Sequence, residues 1–369
     1  MTVIAVLFCL LLVSCSAIPN FRAGVAAYNR QDYVAAREMW EPLAESGNAA
    51  AQHNLGLLYS KGQGTPKDSA AAEKWLRAAA RQGFEEAQYS LGNLLYKSNP
   101  REARQWFLRA AIQGHPKAQY NLGVMLEHGE GGPRNIDQAV SWYRRSAELG
   151  ELDAAYNCAV LLEDLQKHEE SFGYFLRAAE RGDSRAELAL GGAYLYGIGV
   201  PKDSAEAVRW LRKADKNGNV DATYQLGSHC RRSKKYTAAL DYLRRAGKGG
   251  IAVARCELGL MYSQGQGVQK NQAQARVLFR QAAEEGEPFA QTNLGHLYEQ
   301  GLGVPKDLVQ AYKWYAIAAA SKHSSAVRRR SKLSGRLTPA QRQLAQQAAS
   351  EWLARQSSIE SGQRTSPAR

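Results

Sequence analysis

The strongest constraint on the fold of this chain is a short pattern that returns along most of its length. Alanine, three variable residues, leucine and glycine occur in this order at Ala51, Ala87, Ala118, Ala186, Ala222, Ala254 and Ala290. A degenerate copy begins at Ala154, where Cys158 and Ala159 replace the leucine and glycine. Self-similarity of this kind indicates an array of small units that stack on their neighbours.

Each copy predicts two helices joined by a turn. In the first segment Ala, Leu and Tyr recur at i, i+4 and i+8, which places them on one face of a helix. In the longer copies a Gly-x-Gly pair follows, and glycine supplies the positive φ angles of a tight turn. An Asp or Asn then caps the second helix; these residues are Asp68, Asn135, Asp203, Asn271 and Asp307.

The segment GIGVPKD at residues 197–203 also raises the interpretation of a phosphate-binding loop. Such a loop follows a β-strand and directs several backbone amides at an anion. Here the preceding segment is helical, and similar loops recur in five copies. We therefore interpret the loop as a connector between helices and expect no nucleotide or other cofactor.

The consensus AxxxLGxxYxxGxGVxxDxxxAxxWxxxAAxxG resembles the Sel-1-like repeat (SLR), a relative of the tetratricopeptide repeat (TPR). The resemblance covers eight copies within residues 48–323, and residues 22–47 form a ninth, more TPR-like copy. It implies an all-α fold, a right-handed α/α superhelical solenoid of tandem helix–turn–helix repeats. SLR proteins are mostly adaptors, so the resemblance implies protein partners held in a concave groove or along a loop edge.

The repeat pattern decays after His323, where residues 324–356 are expected to form C-terminal capping helices. Thr338 and Gln341 form a capping-box pattern at a helix start. An apolar stripe should follow; its members are Leu344, Ala348 and Trp352. Residues 357–369 have the composition of a disordered tail.

Long and short copies alternate, because three copies lack the Gly-x-Gly loop and carry KSNP, LQKHEE or RRSKKY instead. Duplication of a two-repeat unit explains this alternation. A second interpretation is that the long loops project from one edge and bind a partner. The candidate residues on that edge are Gln63, Ile198, Gln266 and Leu302.

Aromatic residues recur on the second helix, and we call them the aromatic column: Trp75, Trp106, Trp142, Tyr174, Trp210, Tyr242 and Trp314, with Leu278 in one copy. Their fixed place favours core packing over carbohydrate binding. Arginines follow the column by two or three residues and form a candidate basic stripe: Arg77, Arg109, Arg144, Arg177, Arg212 and Arg244. The stripe is either a solvated helix face or a surface for an acidic polymer. The formal net charge of +13 favours anionic partners without choosing among them.

The N-terminal segment contains an uninterrupted apolar run from Val3 to Val13, too short to span a bilayer. We predict a signal peptide over residues 1–17. Leu12-Val13-Ser14-Cys15 resembles a bacterial lipobox, which implies acylation of Cys15 and an outer-membrane lipoprotein in the periplasm. Cleavage after Ala17 to give a soluble periplasmic protein, or an uncleaved anchor, are the alternatives. A secretory signal also argues against nucleic acid as a partner.

Catalytic patterns do not stand out in the sequence. Cys158, Cys230 and Cys256 form no CxxC pair and have no metal-ligand spacing, so we expect small helix residues and no metal site. The histidines are dispersed, and GxSxG is absent. We therefore expect a non-enzymatic scaffold in the bacterial envelope, serving exopolysaccharide secretion, signalling or host interaction. The alternatives are direct binding of an anionic glycan and, less favoured, β-lactamase or penicillin-binding activity.

Overall fold

The computed structural model describes the backbone of residues 20–364 and the side chains of residues 20–358. This part of the chain contains twenty α-helices and no strand. The signal and lipobox predictions, including Cys15, lie outside the described residues. The helices are α1 Phe21–Asn29, α2 Tyr33–Glu45, α3 Ala49–Lys61, α4 Ser69–Arg81, α5 Glu85–Leu95, α6 Pro100–Gln113, α7 Pro116–His128, α8 Ile136–Glu148, α9 Leu152–Asp164, α10 His168–Glu180, α11 Ser184–Tyr196, α12 Ser204–Lys216, α13 Val220–Arg232, α14 Tyr236–Lys248, α15 Ala252–Gln264, α16 Gln272–Glu284, α17 Pro288–Gln300, α18 Leu308–Ala320, α19 Ser324–Ser334 and α20 Pro339–Arg364.

The chain forms two compact units, one ending at Arg181 and the other beginning at Gly182. Within each unit, up to α18, every odd-numbered helix packs against the next even-numbered helix, and that helix packs against the following hairpin. We call α3, α5 and the later odd-numbered helices to α17 the A helices, and α4, α6 and the later even-numbered helices to α18 the B helices. Each unit is therefore a stack of antiparallel helix pairs, as the sequence pattern predicted.

The side chain that fills each hairpin belongs to the residue after the aromatic column. These nearly inaccessible residues are Leu76, Phe107, Tyr143, Leu211, Leu243, Phe279 and Tyr315. Each lies against the glycine of the Leu-Gly pair in the A helix of the same hairpin. A Cβ on Gly123 would lie 2.6 Å from Cε1 of Tyr143. Glycine therefore makes room for a large side chain of the B helix at this position.

The aromatic column itself is only partly buried. Trp106, Trp210, Leu278 and Trp314 are buried, whereas Trp75, Trp142, Tyr174 and Tyr242 are half-buried. The predicted core packing is therefore complete only for the first group, while Trp75 and Tyr242 of the second group pack against buried clusters with part of their surface accessible. The hairpin interior is already filled by the adjacent residue, so the column packs along the boundary between neighbouring hairpins.

The long connectors end the A helix with a left-handed glycine and start the B helix with a side-chain cap. Gly129 ends α7 with φ 73°, and Asn135 accepts a hydrogen bond from the amide of Gln138. Gly131 lies against the preceding hairpin, where its added Cβ would be 2.3 Å from the carbonyl oxygen of Pro100. Corresponding close approaches join Gly64 to Tyr33, Gly267 to Tyr236 and Gly303 to Gln272. These four loops therefore lie against the preceding hairpin.

The short connectors of the fourth and sixth repeats turn without glycine. Gln166 has φ 60° and Lys234 has φ 59°. Lys167 and Lys235, at the N-caps of the following helices, make no side-chain capping bond. The short connectors thus place residues with a Cβ in the left-handed region, which is unfavourable for them.

The C-terminal helices cover the last hairpin. The amide of Thr338 donates to Oε1 of Gln341 and the amide of Gln341 donates to Oγ1 of Thr338, so the capping box forms. The buried stripe differs from the predicted one, because Ala345 and Ala349 are buried whereas Leu344 is 59% exposed. Helix α20 continues to Arg364, which corrects the prediction of a disordered tail from residue 357. A helix that is packed at its first half extends more readily than an isolated one, because its nucleation cost is already met.

Candidate functional site

The arginines of the predicted basic stripe divide into three groups. Arg77 donates to Glu73 of its own helix at 2.5 Å and to Glu102 of the next B helix. Arg144 pairs in the same way with Glu170 of the next B helix. These ion pairs hold the pKa of the Arg77 guanidinium above its ordinary value. Both side chains therefore connect neighbouring repeats and have their charge largely compensated.

The second group lies over the aromatic column. The guanidinium of Arg109 is 4.5 Å from the ring centroid of Trp106, and that of Arg177 is 5.5 Å from the centroid of Tyr174. Cations over aromatic faces are stabilised by the ring quadrupole. Arg212 and Arg244 are exposed and form no ion pair among the described residues. The structure therefore leaves two of the six predicted residues available as open cations.

The candidate loop-edge residues also differ from one another. Ile198 and Leu302 are 37% and 36% exposed. Gln63 and Gln266 are half-buried, and the Oε1 atom of each is buried without a hydrogen-bond donor. A loop that packs onto the preceding hairpin explains this burial. Only Ile198 and Leu302 offer an accessible apolar side chain at this edge.

A polar ladder crosses neighbouring A helices, and the sequence analysis did not identify it. Nε2 of His53 lies 3.1 Å from Oγ of Ser90, and Nδ2 of Asn121 donates to Oδ1 of Asn93 at 3.1 Å. In the second unit Glu257 accepts from Ser228 at 3.1 Å and Arg231 at 2.8 Å. Ser90, Asn121 and Glu257 lie three residues after the first alanine of their copies, and Asn93 and Ser228 lie six residues after it. Comparing the copies at these two positions would have indicated the ladder.

A cleft of about 440 Å³ opens on the A-helix side of the first unit, where His53, Tyr89 and His115 contribute to its lining. The rings of Tyr89 and His115 stack at 4.4 Å. Burial lowers the pKa of both histidines. They are therefore kept neutral by their surroundings, and they act as packing and hydrogen-bonding groups in this arrangement.

Buried glutamines join consecutive hairpins and were also missed. Gln52, Gln88, Gln119 and Gln291 follow the first alanine of their copies, and Nε2 of each donates to a carbonyl near the end of the preceding even-numbered helix. The recurring Ala-Gln pair was visible in the sequence. Each of these carbonyls also accepts the backbone amide of the glycine three residues later, so the glutamine adds a second hydrogen bond that connects neighbouring repeats.

Two clefts lie beside helix α16 in the second unit. One, of about 470 Å³, is lined in part by Arg244, Lys248 and Arg255. The other, of about 700 Å³, lies between α16, α18 and α20, and we call it the C-terminal cleft. Its cations are Arg280, Lys313 and Arg355, and its aromatic residues are Tyr298, Trp314 and Trp352. Both clefts place basic side chains beside apolar surface.

Side chains that could ligate a metal ion are not clustered in the described part of the chain. No set of three or more His, Cys, Asp or Glu side chains there has the arrangement of a metal site. Cys158 and Cys256 are buried and Cys230 is half-buried. Burial raises the pKa of the Cys158 thiol to about 12, so it stays protonated and poorly nucleophilic. No helix within residues 20–364 is long and apolar enough to cross a membrane.

Stacked helix hairpins with clefts between their helices define a protein of the helical-repeat solenoid class. The family model described as Sel1 repeat matches eight consecutive segments, at residues 49–84, 85–115, 116–151, 152–183, 184–219, 220–251, 252–287 and 288–323. These segments make up most of the chain. The chain therefore belongs to the Sel1 repeat family, whose members share a fold that typically supports protein interaction.

The relatives extend this comparison. An uncharacterized protein of Neisseria meningitidis serogroup B is 32% identical over 250 residues, which are 64% of this chain and 51% of that protein. The alginate biosynthesis protein AlgK of Pseudomonas syringae pv. tomato is 37% identical over 105 residues, 27% of this chain and 22% of AlgK. The matched part of the chain thus spans about half the length of the Neisseria protein, and a smaller share of AlgK.

A solved structure shows a similar fold. The crystal structure of a Sel1 repeat protein from Oxalobacter formigenes is 27% identical to this chain and superimposes with a TM-score of 0.66. The alignment covers 80% of this chain and 89% of the Oxalobacter chain. The stacking of hairpins is therefore a property that the two proteins share.

Proposed function

We propose that this protein is a non-enzymatic scaffold of the bacterial cell envelope that holds other envelope proteins in a complex. The observation that carries the proposal is the run of adjacent repeats in each unit, which exposes clefts and side-chain ladders built from consecutive helices. Repeat arrays present extended surfaces of this kind to peptides and proteins. The partial identity with an alginate biosynthesis protein supports an envelope setting, such as exopolysaccharide secretion.

The N-terminal sequence supports the location in the same way. An apolar run followed by Leu12-Val13-Ser14-Cys15 favours acylation of Cys15 and attachment to the outer membrane. Cys15→Ser tests this part separately. Loss of lipid labelling, with release of the chain into the soluble periplasmic fraction, is the expected result. If Cys15→Ser fractionates as the wild type does and neither protein takes up the lipid label, cleavage after Ala17 or an uncleaved anchor is favoured instead.

The scaffold proposal is tested by site-specific photo-crosslinking in intact cells that express the full chain. A photoreactive residue replaces Asn93 on the A-helix side or Leu302 at the loop edge, both of which are exposed. We expect a discrete envelope protein to be captured from at least one of these positions. A stably folded chain that captures no protein from any surface would contradict the proposal.

Binding of an anionic glycan by the basic stripe is the second candidate, and the arginine contacts weaken it. Arg77 and Arg144 are ion-paired, and Arg109 and Arg177 lie over aromatic rings. Arg212 and Arg244 remain, and retention of the protein on an acidic polysaccharide should therefore depend on them. Replacing both with glutamine distinguishes this function, because only glycan binding predicts loss of salt-sensitive retention.

A further inference from the structure

The C-terminal cleft has an uneven distribution of charge. Arg280, Lys313 and Arg355 come from α16, α18 and α20, so three separate helices direct cations to one opening. Arg280 is compensated by Glu284, which lies 2.9 Å away. Lys313 has no carboxylate within ion-pair distance among the described residues, and Arg355 reaches only the carbonyl oxygen of Glu351, at 3.4 Å. Among the described residues Lys313 and Arg355 therefore lack an ion-pair partner, and Asp307, which also lines the cleft, accepts from the backbone amides at the start of α18.

The surroundings of Lys313 show that these cations influence one another. Its pKa is lowered, first by burial and then by the positive charges of Arg355 and Arg280. Glu284 and Glu351 oppose this shift without cancelling it. An incoming carboxylate would offset the repulsion between these cations. It would also form charge-assisted hydrogen bonds, which are stronger in a partly buried site.

The walls of the cleft are apolar and held in place. Trp314 and Trp352 meet edge to face with centroids 6.2 Å apart, and Tyr298 and Trp352 pack against the buried cluster of the last repeats. Nε2 of Gln356 donates to the carbonyl oxygen of Glu284 at 3.1 Å, which fastens α20 to α16. The cleft is thus formed by the capping helix together with the last two B helices.

The aromatic residues do not offer an open face for a sugar ring. Trp314 is 6% exposed, and Nζ of Lys313 lies 5.0 Å from the centroid of its ring. Gln310 lines the cleft, is only half-buried, and makes no side-chain hydrogen bond among the described residues, so its replacement removes no contact of the fold. The cations and apolar walls suit acidic and apolar side chains in alternation.

We propose that the C-terminal cleft binds an acidic segment of a partner protein, with a carboxylate of that segment at Lys313 and Arg355 and an adjacent apolar side chain against Trp352. This inference rests on the proposed scaffold function and assigns one of its binding sites. It places the contact beside the capping helix, at neither the predicted loop edge nor the predicted basic stripe.

The test places the photoreactive residue at Gln310 in the full chain and identifies the crosslinked segment by mass spectrometry. We expect a captured segment that contains Asp or Glu beside an apolar residue. Lys313→Gln in the same crosslinking chain should lower the yield about tenfold, which is the effect of losing one hydrogen bond to a charged group. Lys332→Gln, on the exposed side of α19, removes the same charge and should leave the yield unchanged.

The outcomes separate this site from the scaffold function. Capture from Asn93 or Leu302 but not from Gln310 would overturn the site and leave the scaffold proposal standing, whereas no capture from any position would overturn both. A segment without acidic residues, or equal yields from the Lys313→Gln and Lys332→Gln chains, would also overturn the site. Retention on a polyuronate that Lys313→Gln abolishes, with no peptide captured, would assign the cleft to a glycan. Equal thermal unfolding of the two variants confirms that both remain folded.

Discussion

The third repeat turns between its helices through Gly129 and Gly131, whereas the sixth repeat turns through Ser233, Lys234 and Lys235. The long turn has glycine in the left-handed region, a side-chain cap at Asn135 and a close contact with the preceding hairpin. The short turn of the sixth repeat has a left-handed lysine and no side-chain cap. The long turns at Gly64, Gly131, Gly267 and Gly303 therefore do more than reverse the chain direction, because each of them also contacts the preceding hairpin.

The largest effect is expected from the contact that only the long turns make. Gly131→Ala places a Cβ 2.3 Å from the carbonyl oxygen of Pro100 at a positive φ, and we expect a loss of about 2–4 kcal/mol in the free energy of unfolding. Gly83→Ala is the matched control, since its φ is +89° and nothing lies within 4 Å of its added Cβ. It should cost about 1–2 kcal/mol. Equal losses in urea unfolding would show that the packing of the loop contributes nothing.

The caps provide the next test of the comparison. Lys235 has φ −84° and ψ 65°, close to the φ −84° and ψ 76° of Asp32, which caps α2 by accepting from the amide of Ala35. Lys235→Asp should therefore stabilise the protein by about 1 kcal/mol, and Asn135→Ala should destabilise it by a similar amount. Lys235→Gln separates the cap from the loss of positive charge. A gain as large for glutamine as for aspartate in thermal unfolding would contradict the capping explanation.

Replacing the left-handed Lys234 with glycine should change the stability by a smaller amount. The change should be a gain, whereas glycine substitutions inside helices cause a loss. Lys234→Gly should stabilise the sixth repeat by about 0.5–1 kcal/mol, because glycine adopts φ 59° without strain while adding some freedom to the unfolded chain. Arg244→Gly, inside helix α14, should instead destabilise by about 1 kcal/mol. Urea unfolding of both variants measures this contrast, and destabilisation by both would show that the left-handed strain is negligible.

The smallest effect concerns the second repeat, whose short turn does have a cap. Asn99 caps α6 through the amide of Glu102, and the Arg77 guanidinium, followed by the Trp106 indole, lowers the pKa of Glu102 from its ordinary value. A lowered pKa stabilises the fold above the unfolded-state value, and this stabilisation disappears as the pH falls through the folded-state value. The stability difference between the wild type and Glu102→Gln should therefore shrink as the pH falls through the lowered pKa of Glu102 in the folded state. A difference that is independent of pH would exclude this ion pair as its source.

Local features of the fold were predictable from the sequence because each depends on a few neighbouring residues. The left-handed Gly129, the Asn135 cap and the Thr338–Gln341 capping box follow from residue chemistry that acts within one turn. The family resemblance then supplied the stacking of hairpins, which the repeat match and the Oxalobacter structure confirm.

Relations between repeats were harder to predict. The burial of Tyr143 in place of Trp142 depends on the space above Gly123, and a single helical period does not distinguish adjacent residues near the edge of an apolar face. The engagement of Arg77 by Glu102 depends on a residue in the next repeat. The C-terminal cleft needs α20 to reach α16, a contact between Gln356 and Glu284 that no local pattern specifies.

The glycine contacts of the long turns have a mechanical consequence. A force that pulls on the ends of the first unit must separate Gly131 from Pro100 before it can extend the second repeat. In the second unit it must separate Gly267 from Tyr236 before it can extend the sixth repeat. Nearest-neighbour interfaces govern how such arrays come apart. We therefore expect the second and third repeats to yield together in the first unit, and the sixth, seventh and eighth repeats to yield together in the second, where Gly303 also contacts Gln272.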